Sequence, residues 1–307
     1  MKNTDQLEKK FDSLVPTYPD TRFMLEHNPR DYTTRILDII APIGMGQRCL
    51  LVSPPKAGKT TILKKISGAL QTNYPEVKQI ALLINERPEE ITDFKRTTNA
   101  RVMNSSSDKS PEEHVKIADQ ALKIARKSLV NGDDLVILLD SITRLARAHN
   151  LFSDSEGKTL SGGLDSKAME RPRQFFGAAR NVENGGSLTI VGTALVETGS
   201  QMDQIIFQEF KGTGNMELVL SRHLAERRFY PAVSVSQSGT RKEEILFNEN
   251  EYRIISRLRR HLGGLDDELA LRFLLDQLKS SATNGELLQA IATGELDLEK
   301  ITPSRRR

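Results

Sequence analysis

Eight residues in the first quarter of the chain have the types and spacing of a site that binds phosphate groups. Ser53–Thr60, SPPKAGKT, follow the P-loop pattern GxxxxGK[ST] at every position except the first, where serine replaces glycine. Gly58 lets backbone N–H groups approach anionic oxygens, and a following helix would point its positive end at them. Lys59 supplies a mobile cation, and the Thr60 hydroxyl can bind magnesium. The pattern predicts a nucleotide site; the alternative is a glycine turn beside a surface lysine.

Two carboxylates follow other apolar segments. Asp140 comes directly after LVILL (135–139), and Glu86 follows QIALLI (79–84) and Asn85. If these segments are parallel strands, both side chains emerge at the carboxyl end of the sheet, where such sheets bind ligands. We expect Asp140 to hold a metal ion from the strand next to the P-loop strand, and Glu86 to polarise a water for attack on the γ-phosphate. Without a P-loop, Asp140 would be an ordinary strand end and Glu86 a partner in a surface ion pair.

The elements that must position these residues alternate along the chain. Continuous apolar segments at 48–52, 79–84, 135–139 and 187–195 are typical of parallel strands covered on both faces. Between the second and third, Ser110 is a predicted N-cap, Pro111 the first helical residue, and Asn131 and Gly132 the end. The core face of this helix is predicted to contain Val115, Ala118, Leu122, Ala125 and Leu129. We therefore predict an α/β fold with a mostly parallel, twisted sheet and helices on both faces.

The composition restricts the class of protein. The 307 residues include 44 Lys and Arg against 41 Asp and Glu, so a net charge of +3 does not by itself indicate a nucleic-acid binder, and any such contact must be local. No apolar run approaches the ~18 to 20 residues of a membrane span. The single cysteine, Cys49, and an N-terminus without an apolar core predict a cytoplasmic protein.

Three regions are predicted. Residues 1–33 are polar and contain three prolines, which favours a leader or linker that docks loosely. Residues 34–250 form the α/β domain. Residues 251–307 form a small helical subdomain that ends in a basic, solvated tail.

Longer motifs point to one family. The segments SPPKAGKT, LLINERPEE, LLDSITRLARAHN, RPRQFFGAARNVENGGSLTIVGTAL, EFKGTGNMELVLSR and SGTRKEE occur in this order. From about Asp31 to the C-terminal region, the sequence resembles the ATPase domain of the bacterial transcription termination factor Rho family. The resemblance implies a RecA-like P-loop NTPase that uses ATP and Mg²⁺. It also implies a homohexameric ring that translocates single-stranded RNA and unwinds RNA duplexes.

The resemblance assigns roles to individual residues. It implies that Lys59 and Thr60 hold the β- and γ-phosphates and Mg²⁺, that Asp140 is a metal ligand, and that Glu86 activates the water. Arg87 is similar to the arginine that senses nucleotide state across the subunit contact, and Arg241 aligns with the arginine finger. The nucleotide contacts are expected from Pro55, Lys56, Ala57, Gly58, Lys59, Thr60, Thr61 and, packed on adenine, Tyr230.

Two glycine-rich segments resemble loops that grip RNA in the channel. GKTLSGG (157–163) is similar to the Q-loop and EFKGTG (209–214) to the R-loop. Six copies around a ring would concentrate the positive charge that one chain lacks. The implied RNA contacts are Lys158, Thr159, Ser161, Gly162, Lys211 and Gly212. On composition alone, both segments would be flexible surface turns.

Departures from the family pattern leave alternatives open. The family usually has a small residue or glycine where Ser53 stands and aspartate where Asn85 stands. It also has an N-terminal domain that captures RNA, whereas about thirty residues precede the ATPase domain here, which suggests a truncated product or a natural short form. One alternative is a rotary-ATPase-like subunit. The other is a regulator without translocation, which joins Rho rings or RNA polymerase.

Overall fold

The computed structural model describes residues 2–152, 163–165, 167–296 and 298, with side chains from Gln6 onward. The predicted RNA contacts Lys158, Thr159, Ser161 and Gly162 lie outside the described residues, as does the basic tail. No helix in the described ranges is long and apolar enough to cross a membrane.

Strands and helices alternate through most of the chain. The strands are β1 (Pro16–Thr17), β2 (Arg22–Phe23), β3 (Ile43–Gly44), β4 (Arg48–Ser53), β5 (Lys78–Glu86), β6 (Arg101–Ser106), β7 (Leu135–Asp140), β8 (Arg180–Val182), β9 (Ser187–Leu195), β10 (Met216–Val219) and β11 (Gly239–Thr240). The helices are α1 (Lys2–Asp12), α2 (Tyr32–Ile40), α3 (Lys59–Asn73), α4 (Pro88–Thr97), α5 (Pro111–Val130), α6 (Ile142–Phe152), α7 (Glu170–Gly177), α8 (Gln201–Lys211), α9 (Arg222–Glu226), α10 (Glu249–Gly263), α11 (Asp267–Ser280) and α12 (Asn284–Thr293).

The main sheet has the order β11-β10-β4-β9-β7-β5-β6. The six strands from β10 to β6 are parallel, whereas β11 and β8 pair antiparallel with β10 and β9. The predicted strands correspond to β4, β5, β7 and β9. One expectation is wrong: β7, which ends in Asp140, is not the neighbour of β4, because β9 lies between them. Strand order depends on long-range crossovers, which a local pattern does not encode.

Helices cover both faces of this sheet. Along β4, Cys49 and Leu51 belong to one core, and Leu50 and Val52 to the other. The first core includes buried residues of α2, α3, α4 and α11, and the second includes those of α5, α6, α7 and α8. Both faces of β4 are therefore buried from solvent, which explains why its sequence is continuously apolar.

Helix α5 forms as its sequence predicts. The Ser110 hydroxyl accepts a hydrogen bond from the Glu113 backbone N–H, and the Glu113 carboxylate accepts one from the Ser110 N–H. This reciprocal capping box satisfies two N–H groups that the first turn leaves free. Pro111 is at the first helical position, and the helix ends at Val130 before the predicted Asn131.

The N-terminal segment packs more tightly than its polar sequence predicts. Phe11, Phe23 and Leu25 are buried. The guanidinium carbons of Arg180 and Arg126 lie 4.1 Å and 5.0 Å from the centroid of the Phe11 ring. Loose docking is therefore wrong for these positions, because isolated aromatic and aliphatic side chains anchor the segment without a periodic pattern. The division at residues 33 and 250 stays a prediction.

Arg35 on α2 connects the C-terminal helices to the α/β domain. Its side chain is fully buried, and its Nη1 donates hydrogen bonds to the carbonyl oxygens of Leu278 and Ser281, at 2.7 and 2.9 Å. Its Nε donates to the Asn284 side chain at 3.1 Å and lies 3.1 Å from a Glu26 carboxylate oxygen. These bonds fix α11 and the start of α12 against α2.

Asp38 on the same helix should make stability depend on pH. Burial raises the pKa of its carboxyl to about 7, although the carboxylate accepts backbone hydrogen bonds from Leu25 and Glu26. Between the unfolded pKa near 3.8 and this value, the folded state binds more protons, so the contribution of this carboxyl to stability is fully present below pH 4 and is lost as pH rises through 7. Between pH 5 and pH 8, the free energy of unfolding in urea should fall by a few kcal/mol more in the parent protein than in Asp38→Asn. Equal pH dependence in both proteins would contradict this assignment.

Candidate active site

The P-loop turn connects β4 to α3 at the carboxyl end of the sheet. Ser53 ends β4 as a buried residue, and its hydroxyl donates to the Pro54 carbonyl at 2.8 Å. Gly58 precedes α3 as its N-cap with a φ of 101°. A Cβ at this position would meet no atom within 4 Å, so the glycine is required by its backbone conformation, which other residues rarely adopt. The turn thus directs the first N–H groups of α3 toward the site.

Four polar residues from three elements converge beside this turn. The Lys59 ammonium lies 2.7 Å from both carboxylate oxygens of Asp140 and 3.0 Å from Glu86 Oε1. The Thr60 hydroxyl donates to Asp140 Oδ2 at 3.0 Å. Asp140 and Glu86 are both buried. The structure therefore brings together the predicted residues of the P-loop, β5 and β7.

The charge of Lys59 is stabilised by this arrangement. Burial alone would lower the pKa of its ammonium, but attraction by Asp140 and Glu86 outweighs burial, so the pKa lies above its usual value. Lys59 therefore remains a cation at neutral pH. A permanent cation at this position suits the β- and γ-phosphates of a nucleotide.

Two further residues complete the cluster and were not predicted. Arg144 on α6 forms an ion pair with Glu86 and donates to the Asn85 carbonyl at 2.7 Å. The Thr193 hydroxyl on β9 donates to Asp140 Oδ1 at 2.8 Å. No spacing in the sequence indicated Arg144, because its contact with Glu86 depends on how α6 lies against the end of β5. No spacing indicated Thr193 either, because its role depends on β9 lying between β4 and β7.

Asn85 gives β5 its shape at the site. Its φ of 56° lies in the left-handed region, which asparagine tolerates better than most residues. The β5–β6 register shifts at this position, between Ile84 and Glu86. At the end of β5, the Asn85 side chain is therefore exposed and the Glu86 side chain is buried. Of these two side chains, only that of Glu86 joins the cluster.

A groove beside the P-loop can accommodate a nucleotide base. It has a volume of about 390 Å³ and is lined by Gly58, Thr61 and Tyr230 among other residues. Tyr230 is half-exposed, and its hydroxyl donates to the Ala225 carbonyl at 3.3 Å. Tyr32, Ile62 and Pro231 add apolar surface. The groove fits the predicted role of Tyr230, because an aromatic face can stack on adenine.

Arg87 and Arg241 lie outside the cluster. Arg87 is the N-cap of α4, and its exposed guanidinium is 3.9 Å from Glu90 Oε1. Arg241 follows β11, where its N–H donates to Asn215 O, and the Asn215 N–H in turn donates to Arg48 O. Arg48 begins β4, whereas the P-loop follows its end. Five residue steps along a strand correspond to roughly 17 Å. Arg241 therefore lies at the end of the sheet where the parallel strands begin, whereas the P-loop of its own chain lies at the end where they finish.

The segment compared with the R-loop is partly helical. Residues 209–211 form the last turn of α8, with Phe210 buried, and Gly212 follows as the C-cap. The half-exposed Lys211 ammonium lies 3.9 Å from Glu217 Oε2 and 5.7 Å from the Phe207 ring centroid. Only residues 212–214 therefore form the turn, because Phe210 anchors the residues before it in the core.

The oxygen ligands in the cluster fit magnesium. The Thr60 hydroxyl and the Asp140 carboxylate are adjacent hard donors, which Mg²⁺ prefers. The described part of the chain contains no group of three or more His, Cys, Asp or Glu side chains that could hold a metal ion by itself. The residues therefore suit an ion that takes its other ligands from phosphate oxygens and water.

Residues 33–240, which are more than half of the chain, identify the family by their match to a family model. This range matches the model of the ATP synthase alpha/beta family, nucleotide-binding domain. The chain belongs to this family. The family domain includes the P-loop, Glu86 and Asp140, and it ends at the residue before Arg241.

Curated relatives are similar over most of the chain. Transcription termination factor Rho is 53% identical over 283 residues in Micrococcus luteus, 51% over 284 residues in Borreliella burgdorferi and 51% over 281 residues in Thermotoga maritima, each match covering 92% of the chain. The chain spans 41%, 55% and 66% of the lengths of these relatives. The resemblance to Rho is confirmed, and the chain is a Rho-like nucleotide-binding ATPase domain.

Two solved structures have the same fold. An ATPase from the type III secretion system of pathogenic bacteria has a TM-score of 0.75 at 21% identity, with 92% of this chain and 87% of that chain covered. The ATPase EscN from enteropathogenic E. coli has a TM-score of 0.72 at 19% identity, with 91% and 72% covered. These likenesses concern the fold alone. They confirm the RecA-like arrangement, while the family and the Rho relatives support an enzyme that hydrolyses ATP.

Proposed function

We propose that the chain hydrolyses ATP as a subunit of a homohexameric ring that moves along single-stranded RNA. The observation that carries the hydrolysis of ATP in this proposal is the convergence of Lys59, Thr60, Glu86 and Asp140 at the carboxyl end of the sheet. Lys59 would hold the β- and γ-phosphates, Thr60 and Asp140 would hold Mg²⁺, and Glu86 would orient the attacking water. Mg²⁺, when bound, supplies positive charge to the phosphate oxygens.

The position of Arg241 supports the ring. Because it lies roughly 17 Å from the P-loop of its own chain, it can act on a nucleotide only if another copy presents one. Its side chain is exposed and forms no ion pair with the described residues. Arg87, exposed beside the site, would read the nucleotide state across the same contact. Hydrolysis would then require two adjacent subunits.

The proposal of RNA as partner rests on the resemblance to Rho and on Lys211. The ammonium of Lys211 is half-exposed at the end of α8, and its ion pair with Glu217 is long. Such exposed pairs contribute little free energy, so the lysine is available to a phosphate group. Six copies, together with residues 157–163, would line the channel of a ring with positive charge.

RNA is expected to bind weakly, with strong dependence on salt and on ATP. Each lysine adds a phosphate contact only when six copies converge, so RNA should stimulate the ATPase only at high concentration. The test measures the ATPase rate with and without poly(C), together with the mass of the oligomer. Lys211→Ala should remove the stimulation, whereas the matched control Lys127→Ala, which alters an exposed lysine of α5, should retain it.

One result would overturn the RNA proposal. If an assembled hexamer at low salt neither binds RNA nor hydrolyses ATP faster with it, the chain would be a regulator of Rho rings or of RNA polymerase. This alternative is not favoured, because the residues needed for hydrolysis converge. A rotary-ATPase-like subunit is not favoured either, because the curated relatives at about half identity are Rho proteins.

A further inference from the structure

The amino edge of the sheet carries a basic cleft of about 640 Å³. Four cations line it: Arg48, Arg180, Arg241 and Lys242. The ATP site lies at the other edge of the sheet, so the basic cleft belongs to a different surface of the chain.

These four cations have no carboxylate partners. The structure gives none of them an ion pair within the described residues. The Arg48 guanidinium instead donates to the carbonyl oxygens of Thr213 and Ala179, at 2.9 and 3.1 Å, and Arg180 donates to the Ala178 carbonyl at 3.2 Å. Neutral carbonyl groups orient a guanidinium but leave its net charge in place.

Aromatic rings of the N-terminal segment hold two of the cations. The Arg180 guanidinium lies over the Phe11 ring at 4.1 Å, and the Lys242 ammonium lies over the Tyr18 ring at 3.5 Å. Attraction by an aromatic face fixes the position of a cation without neutralising it. Phe11 and Tyr18 therefore present positive charge to the basic cleft.

No carboxylate of the described residues forms an ion pair with the cations of the basic cleft, and Asp12 compensates the charge of Arg180 only in part. Burial lowers the pKa of Arg180, and repulsion by Arg126 and Arg48 lowers it further, while Asp12 opposes the shift. Burial also lowers the pKa of Arg48. Partly buried cations without counterions are costly, and a bound anion would offset this cost.

We propose that the basic cleft receives the triphosphate of a nucleotide held by a second copy of this chain, with Arg180 and Lys242 acting beside Arg241. The inference rests on the proposed ring and extends it by assigning these two residues to the shared site. It requires only that the amino ends of the parallel strands in one subunit face the carboxyl ends of those strands in the next subunit.

The mouth of the basic cleft favours a protein-bound anion. The exposed fraction is 62% for Tyr18 and 39% for Ile245, and both line the cleft. A neighbouring protein surface would bury these apolar groups, whereas a free anion would leave them exposed. The nucleotide face also presents Glu89 and Glu90 in the first turn of α4, opposite in sign to the basic cleft.

Two variants test the proposal without disturbing the ATP site of their own chain. Arg180→Gln removes one charge, and Lys242→Asn removes another at a φ of 57°, which asparagine tolerates. Each should lower the turnover number of the assembled protein about ten- to 150-fold, the range for a hydrogen bond to a charged group, and leave ATP affinity near normal. Lys279→Gln, which removes a charge from the surface of α11, is the matched control.

Mixing experiments identify where the two residues act. When Arg180→Gln is mixed with Glu86→Gln, some interfaces combine an intact basic cleft with an intact ATP site, and part of the activity should return. If turnover equals that of the control, or if activity does not return despite subunit exchange, the proposal is wrong. If Arg241→Ala still regains activity in such mixtures, the proposed ring stands and only the added roles fail.

A binding experiment separates a bound nucleotide from a free anion. Tripolyphosphate is titrated into the Lys59→Ala chain at concentrations where it is monomeric. If tripolyphosphate does not bind, the proposal is supported, because the basic cleft then needs a second copy of the chain to present the phosphates. Binding that Arg180→Gln abolishes would overturn it and make the basic cleft a site for free polyphosphate.

Discussion

Lys59→Ala is expected to abolish ATP hydrolysis and to weaken ATP binding, whereas Glu86→Gln is expected to bind ATP yet hydrolyse it slowly. Lys59 is the P-loop cation, and removal of even one neutral donor that stabilises transition-state charge typically costs ~10² to 10³ in rate. Glutamine keeps the size of Glu86 but cannot polarise a water as a carboxylate does. Nucleotide binding and steady-state turnover, measured on both variants, distinguish the two roles.

Folding must be controlled, because Lys59→Ala leaves Asp140 and Glu86 with less positive charge nearby. Lys59→Arg keeps a cation beside both carboxylates, and should fold normally while the geometry of phosphate binding is lost. A normal thermal transition in Lys59→Arg with low turnover would support the catalytic role. An equal loss of ATP affinity in Lys59→Ala and Glu86→Gln would instead remove Glu86 from catalysis.

Arg241→Ala is expected to lose ~10³ to 10⁵ in turnover while it keeps near-normal ATP affinity. The loss is large because a finger supplied from a neighbouring subunit stabilises charge that develops in the transition state. Since Arg241 is at the opposite edge of the sheet from its own P-loop, its removal leaves that P-loop intact. ATP binding and turnover, measured on the assembled variant, give the two quantities separately.

Complementation tests whether this residue acts between subunits. Mixed rings of Arg241→Ala and Glu86→Gln contain interfaces with one intact Glu86 and one intact Arg241, so part of the activity should return. Subunit exchange can be followed with labelled chains. A mixture no more active than either parent, despite exchange, would refute action in trans.

Local patterns predicted the elements that carry the site. The start of α5 is encoded by two adjacent residues, Ser110 and Pro111, and β4, β5, β7 and β9 are continuous apolar segments. The strands that were not predicted, such as β6 and β10, are shorter or more polar, because β6 lies at the edge of the sheet and β10 has only four residues. The sequence pattern did not indicate β6 and β10, because the length and the burial of a strand depend on the whole fold.

The site was predictable where the chain itself joins a strand to a polar residue. Lys59, Glu86 and Asp140 each follow or end a predicted strand, so a common sheet edge brings them together. Thr193 and Arg144 reach the same cluster through strand order and helix orientation, which no spacing rule specifies. The positions of Arg241 and of the aromatic rings under Arg180 and Lys242 depend on the fold in the same way.

Separation of the C-terminal helices from the rest of the molecule would remove the hydrogen bonds of the Arg35 guanidinium to Leu278, Ser281 and Asn284 and leave it with Glu26. Hydrogen bonds to a charged group contribute about 1.5 to 3 kcal/mol each, a substantial part of the stability of an ordinary domain. Local opening of α11 and α12 therefore has a free-energy cost beyond the loss of their apolar contacts. We therefore expect α11 and α12 to open together with α2 and not independently of it.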